Sequence, residues 1–99
     1  MVKNGTRLQS QVDDTQVIVV KSGDGLDDLR CGGTAMVALD ADKSGGEVDA
    51  QFADGTVMGK RYVDDAGAEV LVTKAGKGSL SVGSTPLTLK EAKPLPASD

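Results

Sequence analysis

Apolar, largely β-branched residues gather in two short runs, Val17-Ile18-Val19-Val20 and Val70-Leu71-Val72, and each run is followed by a Gly-x-Gly triplet, Gly23-Asp24-Gly25 and Gly76-Lys77-Gly78. Runs of this length bounded by glycine predict strands that enter tight turns. Leu29-Arg30-Cys31 and Leu80-Ser81-Val82 follow as short return strands, so the two Gly-x-Gly triplets are expected to be hairpin turns. In mid-chain, Glu47-Val48-Asp49-Ala50-Gln51-Phe52 alternates polar with apolar up to Asp54-Gly55. That dipeptide favours a two-residue type I′ hairpin, which would set Phe52 opposite Val57 and Asp49 opposite Lys60.

The two valine runs belong to a longer correspondence. Val12-Asp13-Asp14 before the first run answers to Val63-Asp64-Asp65 before the second. Leu29, Gly32, Thr34 and Met36 answer to Leu80, Gly83, Thr85 and Leu87 once two residues near Leu26-Asp27 are treated as an insertion, and Gly5-Thr6 echoes Gly55-Thr56. A repeat of roughly fifty residues across most of a chain sets its architecture ahead of any local motif. The expectation is one all-β domain, residues 1–99, built from two pseudo-twofold-related repeats at about 5–39 and 55–90. A polar linker at about 40–46 would join them, and residues 91–99 would form an extended tail. Pro94 and Pro96 rule that tail out as a central strand.

Composition narrows the function classes. The chain has 99 residues, of which 13 are glycine, with one Phe, one Tyr and no Trp, so its core must be small and aliphatic. Half of such a chain would bury too little surface to be stable alone, and the halves are expected to share a core. A net charge of −4 argues against nucleic acid, which demands a clustered basic surface. No apolar stretch approaches a membrane span, and the expected location is cytoplasmic. Cys31 is the single cysteine and histidine is absent, which removes an intramolecular disulfide as well as the commonest general base and metal ligand.

Each half runs through a valine-rich strand, a glycine turn and a return strand into Cys31-Gly32-Gly33-Thr34-Ala35-Met36-Val37 or Val82-Gly83-Ser84-Thr85-Pro86-Leu87-Thr88. This order resembles desulforedoxin, the small relative of rubredoxin, over roughly twenty-five residues in each half. The stretch 29–37 is the most family-like, and 67–78 keeps the spacing of the strand and its glycine turn. The resemblance implies a small glycine-rich β protein made of two rubredoxin/desulforedoxin-like knuckles, arranged in one chain as the family's homodimer is arranged in two. The ligands do not carry over. Val63 and Ala66 fall where the first thiolate pair of the family would lie, the matching place in the first half falls near Asp13, and only Cys31 survives at the second pair. Tetrahedral sulfur ligation of iron needs four thiolates, so the scaffold is expected to lack its metal, with no cofactor. A second copy would then supply the stability that metal binding otherwise gives.

Several residues are candidates for chemistry, each with a plainer structural role beside it. Cys31 has no histidine to activate it and reads as a small buried residue equivalent to Val82. Asp40, Asp42 and Ser44 copy the opening of a calcium loop, yet the twelfth position is Gln51 in place of the usual glutamate, and the segment reads as a solvated linker. Asp13-Asp14 and Asp64-Asp65 could form acidic dyads, or could serve turns by bonding their own backbone. Asp24, Asp27 and Asp28 make the first glycine loop acidic where Lys77 makes the second basic.

Two functions of different class remain. The first is a non-catalytic protein-interaction module, an accessory or small subunit of a larger enzyme. It would use Asp24, Asp27, Asp28, Lys77 and, on the proline tail, Leu95; its strand edges would also permit a homodimer. The alternative is a calcium- or magnesium-dependent protein or a small acid-base enzyme using the paired aspartates.

Overall fold

In the computed structural model, which describes residues 2–43 and 45–90, the two valine runs become the two longest strands and lie side by side. The strands are β1 (Arg7–Gln9), β2 (Gln16–Lys21), β3 (Leu29–Cys31), β4 (Thr34–Ala35), β5 (Val37–Ala38), β6 (Arg61–Val63), β7 (Glu69–Lys74), β8 (Leu80–Val82), β9 (Thr85–Pro86) and β10 (Thr88–Lys90). Helical structure among the described residues is confined to two 3-10 turns, Asp24–Asp28 and Ala50–Phe52, so the class is all-β. No helix among them is long and apolar enough to cross a membrane.

Six strands form one antiparallel sheet in the order β10-β6-β7-β2-β1-β5, and four form a second in the order β4-β3-β8-β9. Exchanging β1 to β5 for β6 to β10 leaves both orders unchanged except in direction. At the middle of the larger sheet β2 pairs with β7, setting Ile18 opposite Leu71; at the middle of the smaller one β3 pairs with β8, setting Arg30 opposite Ser81.

Alternation along β2 and β7 buries one face of the larger sheet. Val17, Val19, Val70 and Val72 are fully or almost fully buried, while Gln16, Ile18 and Leu71 are only half-buried on the other face. The buried valines join Leu29, Cys31 and Leu80 of the smaller sheet, together with Leu8, Leu26, Met36, Ala68 and Leu87, in one core cluster. Each buried Val or Leu contributes about 1.5–3 kcal/mol relative to exposure. Because the four central strands come from both halves of the chain, neither half closes this core alone.

The glycine loops differ from expectation. β2 and β3 lie in different sheets, as do β7 and β8, so neither Gly-x-Gly triplet is a hairpin turn. The cause is pairing: β2 already has β1 and β7 on its two edges, and β7 has β2 and β6, leaving no edge for a returning strand. The chain crosses to the second sheet instead. The two extra residues near Leu26 are absorbed in the 3-10 turn, where Leu26 is 2% exposed and anchors the loop in the core.

The expected hairpin around Asp54-Gly55 is also absent. Asp49 accepts the Gln51 N–H (2.9 Å) and starts the 3-10 turn Ala50–Phe52, while its own N–H donates to the Gly32 carbonyl (2.9 Å). A type I′ turn needs positive φ at both central residues, and only Gly55 has it (83°). Phe52 and Val57 are therefore not cross-strand partners, nor are Asp49 and Lys60. Residues 39–60 contain no strand among those described, so the link between β5 and β6 is longer than the segment 40–46 expected from sequence.

A turn at residues 3–6 leads into β1, and one at residues 57–60 leads into β6. The Thr6 N–H donates to the Lys3 carbonyl (3.1 Å) and the Lys60 N–H to the Val57 carbonyl (3.2 Å), with Gly5 at φ 85° and Gly59 at φ 81°. The Gly5 N–H donates to the Val19 carbonyl (2.7 Å) and the Val19 N–H to the Thr6 carbonyl (2.8 Å); in the other half the Gly59 N–H donates to the Val72 carbonyl (2.9 Å) and the Val72 N–H to the Lys60 carbonyl (3.0 Å). Gly5-Thr6 thus answers to Gly59-Lys60, not to Gly55-Thr56. The sequence match to Gly55-Thr56 was a coincidence of two common residues.

Candidate functional site

The densest polar cluster lies where the loop between β1 and β2 meets the second glycine loop. The Asp13 carboxylate accepts the Thr15 N–H (3.1 Å) and the Thr15 hydroxyl (3.0 Å), and its Oδ2 also accepts the Gly78 N–H from the other half. Ser10 Oγ accepts the Val12 and Asp13 amides (3.2 Å each). Ser10 and Thr15 are fully buried, and so is Cys31, whose Sγ donates to Asp13 Oδ1 at 3.7 Å. Burial pushes the Asp13 carboxyl up, but hydrogen bonds from Ser10, from the Gly78 and Thr15 amides and from the Thr15 hydroxyl outweigh it and hold the group below its ordinary value. Burial pushes the Cys31 thiol up to about 11, and the neighbouring Asp13 charge adds to the shift.

At neutral pH Cys31 is a protonated donor to a carboxylate, the opposite of what a nucleophile requires. Both Asp13 oxygens are engaged, Oδ1 by Thr15 and Cys31 of its own half and Oδ2 by the Thr15 hydroxyl and by Gly78, the one bond that reaches the other half. The glycines are there because nothing larger fits: a Cβ on Gly76 would lie 2.7 Å from Asp13 Oδ2 and 2.8 Å from Thr15 N, and one on Gly78 would lie 3.0 Å from Cys31 Sγ. A cleft of about 280 Å³ opens beside the cluster, lined by Val12, Asp13, Asp14, Gly76 and Lys77.

Asp64 does related work in the other half. Its Oδ1 accepts the Ala66 and Ala68 amides (3.0 and 2.8 Å), and a Cβ on Gly25 would stand 2.7 Å from its Oδ2. Each aspartate therefore closes its own turn and faces the glycine loop of the opposite half. The turn role expected of the aspartates matches the geometry of Asp13 and Asp64, but the two are not counterparts: the Ser10 N–H donates to the Thr15 carbonyl (2.8 Å) as the Asp64 N–H does to the Ala68 carbonyl (3.0 Å), and Gln9 faces Gln16 as Val63 faces Glu69, so the expected match of Val12-Asp13-Asp14 to Val63-Asp64-Asp65 does not hold. Among the described residues, no three His, Cys, Asp or Glu side chains are grouped as metal ligands.

The remaining candidates are scattered over the surface. Asp24 is exposed, Asp27 Oδ1 accepts the Val2 N–H (3.2 Å), and Asp28 Oδ1 pairs with Arg30 Nε (3.0 Å). Lys77 stands on the rim of the cleft at Asp13. Asp40 and Asp42 are both exposed in the segment after β5, and Lys43 Nζ from that segment donates to the Asp13 carbonyl (2.9 Å). Ser44 and Leu95 lie outside the described residues.

Sequence reasoning missed one feature. Val57 and Met58 are 50% and 66% exposed at the tip of the turn before β6, held out by backbone bonds to Val72 and by the Val57 N–H donating to Tyr62 Oη (3.0 Å). The corresponding turn before β1 carries Lys3 and Asn4. The signal in the sequence was Val57-Met58-Gly59, an apolar pair followed by a turn glycine, but assigning those residues to a strand hid it. The Val57-Met58 turn lies next to the second glycine loop, since the Thr56 N–H donates to the Gly76 carbonyl (3.3 Å) and the Gly76 N–H to Thr56 Oγ1 (3.2 Å). Comparison with protein-family models, with curated proteins and with solved structures finds no match.

Proposed function

We propose that this chain is a non-catalytic protein-interaction module, an accessory or small subunit of a larger enzyme, and that it arose by tandem duplication of a desulforedoxin-like knuckle without its metal ligands. The observation that carries the interaction reading is the apolar tip at Val57 and Met58. An apolar pair displayed on a hydrogen-bonded turn loses little conformational freedom when covered, which is how compact interface anchors gain affinity. Lys77 on the neighbouring glycine loop and the acidic loop at Asp24, Asp27 and Asp28 supply charges of opposite sign to orient a partner. The palindromic strand order and the paired turns support duplication. The buried, protonated Cys31 and the fully committed Asp13 support a role without catalysis.

The test is purification from the native cell at native expression level. The expected result is a stoichiometric protein partner that remains through size exclusion. A chain that elutes alone, or as a pure homodimer, would overturn the reading.

A further inference from the structure

On the outer face of the larger sheet, Glu69 is 6% exposed and forms a three-residue ion cluster: Oε1 binds Lys90 Nζ (2.8 Å) and Oε2 binds Arg61 Nη1 (3.4 Å). The register defines this site. Glu69 is opposite Val63, Arg61 is opposite Leu71, and Lys90 is opposite Arg61. On the other side of the central β2–β7 pair the same three positions recur. Gln16 is opposite Gln9, Arg7 is opposite Ile18, and Leu39, one residue past β5, falls level with Arg7 because Ala38 is opposite Leu8. The arginine is kept there, the carboxylate is replaced by the Gln16 amide, and Leu39 stands in place of Lys90.

A second cation is nonetheless present. Lys74 is directly opposite Gln16, and a cleft of about 350 Å³ is lined by Arg7, Gln16, Val17, Leu39, Thr73 and Lys74. Among the described residues neither Arg7 nor Lys74 belongs to an ion pair, whereas Arg61 and Lys90 both do. We infer that this cleft binds a carboxylate supplied from outside the chain, in the place that Glu69 fills from within on the opposite side. Arg7 offers a planar fork suited to a carboxylate, Lys74 adds a point charge, and the Gln16 side-chain NH₂ donates where a glutamate would repel. Leu39 provides an apolar wall for the carbon that bears the carboxylate.

The inference does not depend on the interaction reading, and its experiment separates a free small acid from an acidic protein side chain. The isotope-labelled full chain is titrated with sodium acetate and with a blocked glutamyl peptide, against sodium chloride at matched ionic strength, following the Arg7 Nε–H and Thr73 amide signals by NMR. Saturable shifts with acetate or peptide but not with chloride are expected; tighter binding of the peptide assigns a protein side chain, and tighter binding of acetate a free acid. Arg7→Gln should weaken binding tenfold or more. Gln16→Glu should abolish it and raise the melting temperature, and that rise should vanish in the double variant Arg7→Gln/Gln16→Glu. Shifts no different from chloride, or undiminished binding in Arg7→Gln, would overturn the assignment.

Discussion

The two ends of the central β2–β7 pair share one strand plan and differ in what they present to solvent. The turn that enters β1 carries Lys3 and Asn4, and Asn4 Oδ1 accepts the Ser22 N–H (2.7 Å); the turn that enters β6 carries the exposed Val57 and Met58. One flank closes an ion cluster with Glu69, and the other leaves Arg7 beside a glutamine. Positions inside are conservative by contrast: Leu29 answers to Leu80, Met36 to Leu87, and the Met36 and Leu87 amides donate to the Leu29 and Leu80 carbonyls (2.9 and 3.0 Å). These core positions are filled alike in the two halves, while the surfaces of the two halves differ. Under the interaction reading proposed above, the asymmetric positions are where a partner would be recognised.

The largest expected effect tests whether the two crossing points are equally tight. Gly76→Ala should destabilise by about 3 kcal/mol, because its methyl meets a backbone amide and the Asp13 carboxylate, and overpacking of this kind typically costs about 1–3 kcal/mol. Gly23→Ala should cost about 1 kcal/mol, since its methyl meets mainly the Ala68 Cβ, at 2.9 Å. Denaturant melts of the two variants should rank in that order. A larger loss for Gly23→Ala would mean that the first glycine loop, not the second, is the rigid one.

Next is Asp13→Ala, expected to cost about 2–3 kcal/mol by leaving the Gly78 and Thr15 amides without their carboxylate. The same group sets an acid limb. Its folded-state pKa lies below the ordinary 3.8, so its contribution is complete above that pH and is lost as pH falls through the folded value. A melting-temperature profile from pH 5 to pH 2 should fall less steeply in Asp13→Asn than in the native sequence.

Cys31 gives a kinetic contrast between folded and unfolded chains. With its thiol buried and pushed up to about 11, it should resist a disulfide reagent at pH 8 and react fully once the chain is unfolded in guanidinium. The smallest effect is expected from Glu69→Gln, which removes the ion cluster at a cost of less than about 1 kcal/mol because both of its cations are half-exposed. Lys90 and then Arg61 hold the Glu69 carboxyl below its ordinary 4.5, outweighing burial, so this contribution too is present above that pH and fades as pH falls.

Much of the sheet content was legible in the sequence. Leu29–Cys31 and Leu80–Val82 are strands with the bounds expected from their glycines, and the valine runs lie within β2 and β7. Local patterning could not say which edges those strands would use, because pairing of β2 with β7 joins residues about fifty positions apart. That long-range choice turned two expected hairpins into sheet crossings. Asp54-Gly55 misled for a related reason: nearby backbone groups found partners in Gly32, Val72 and Gly76 instead of in each other. The Asp13 cluster was half legible, since turn chemistry marks the aspartate but nothing local announces its bond to Gly78. The cleft at Arg7 was not legible, because recognising it requires knowing that Gln16 stands where the other side has Glu69.

The divergence of the two entry turns can be tested at a single pair of positions. Tagged chains carrying Met58→Asp or Asn4→Asp are expressed at native level beside the unmodified sequence, and the stoichiometry of the co-purifying protein is measured by quantitative mass spectrometry. Both substitutions are on exposed turn positions, and Asp at position 4 retains an acceptor for the Ser22 amide. The account predicts that Met58→Asp loses the partner while Asn4→Asp keeps it, with melting temperatures of both unchanged. Retention of the partner by Met58→Asp, or equal loss from both variants, would contradict it.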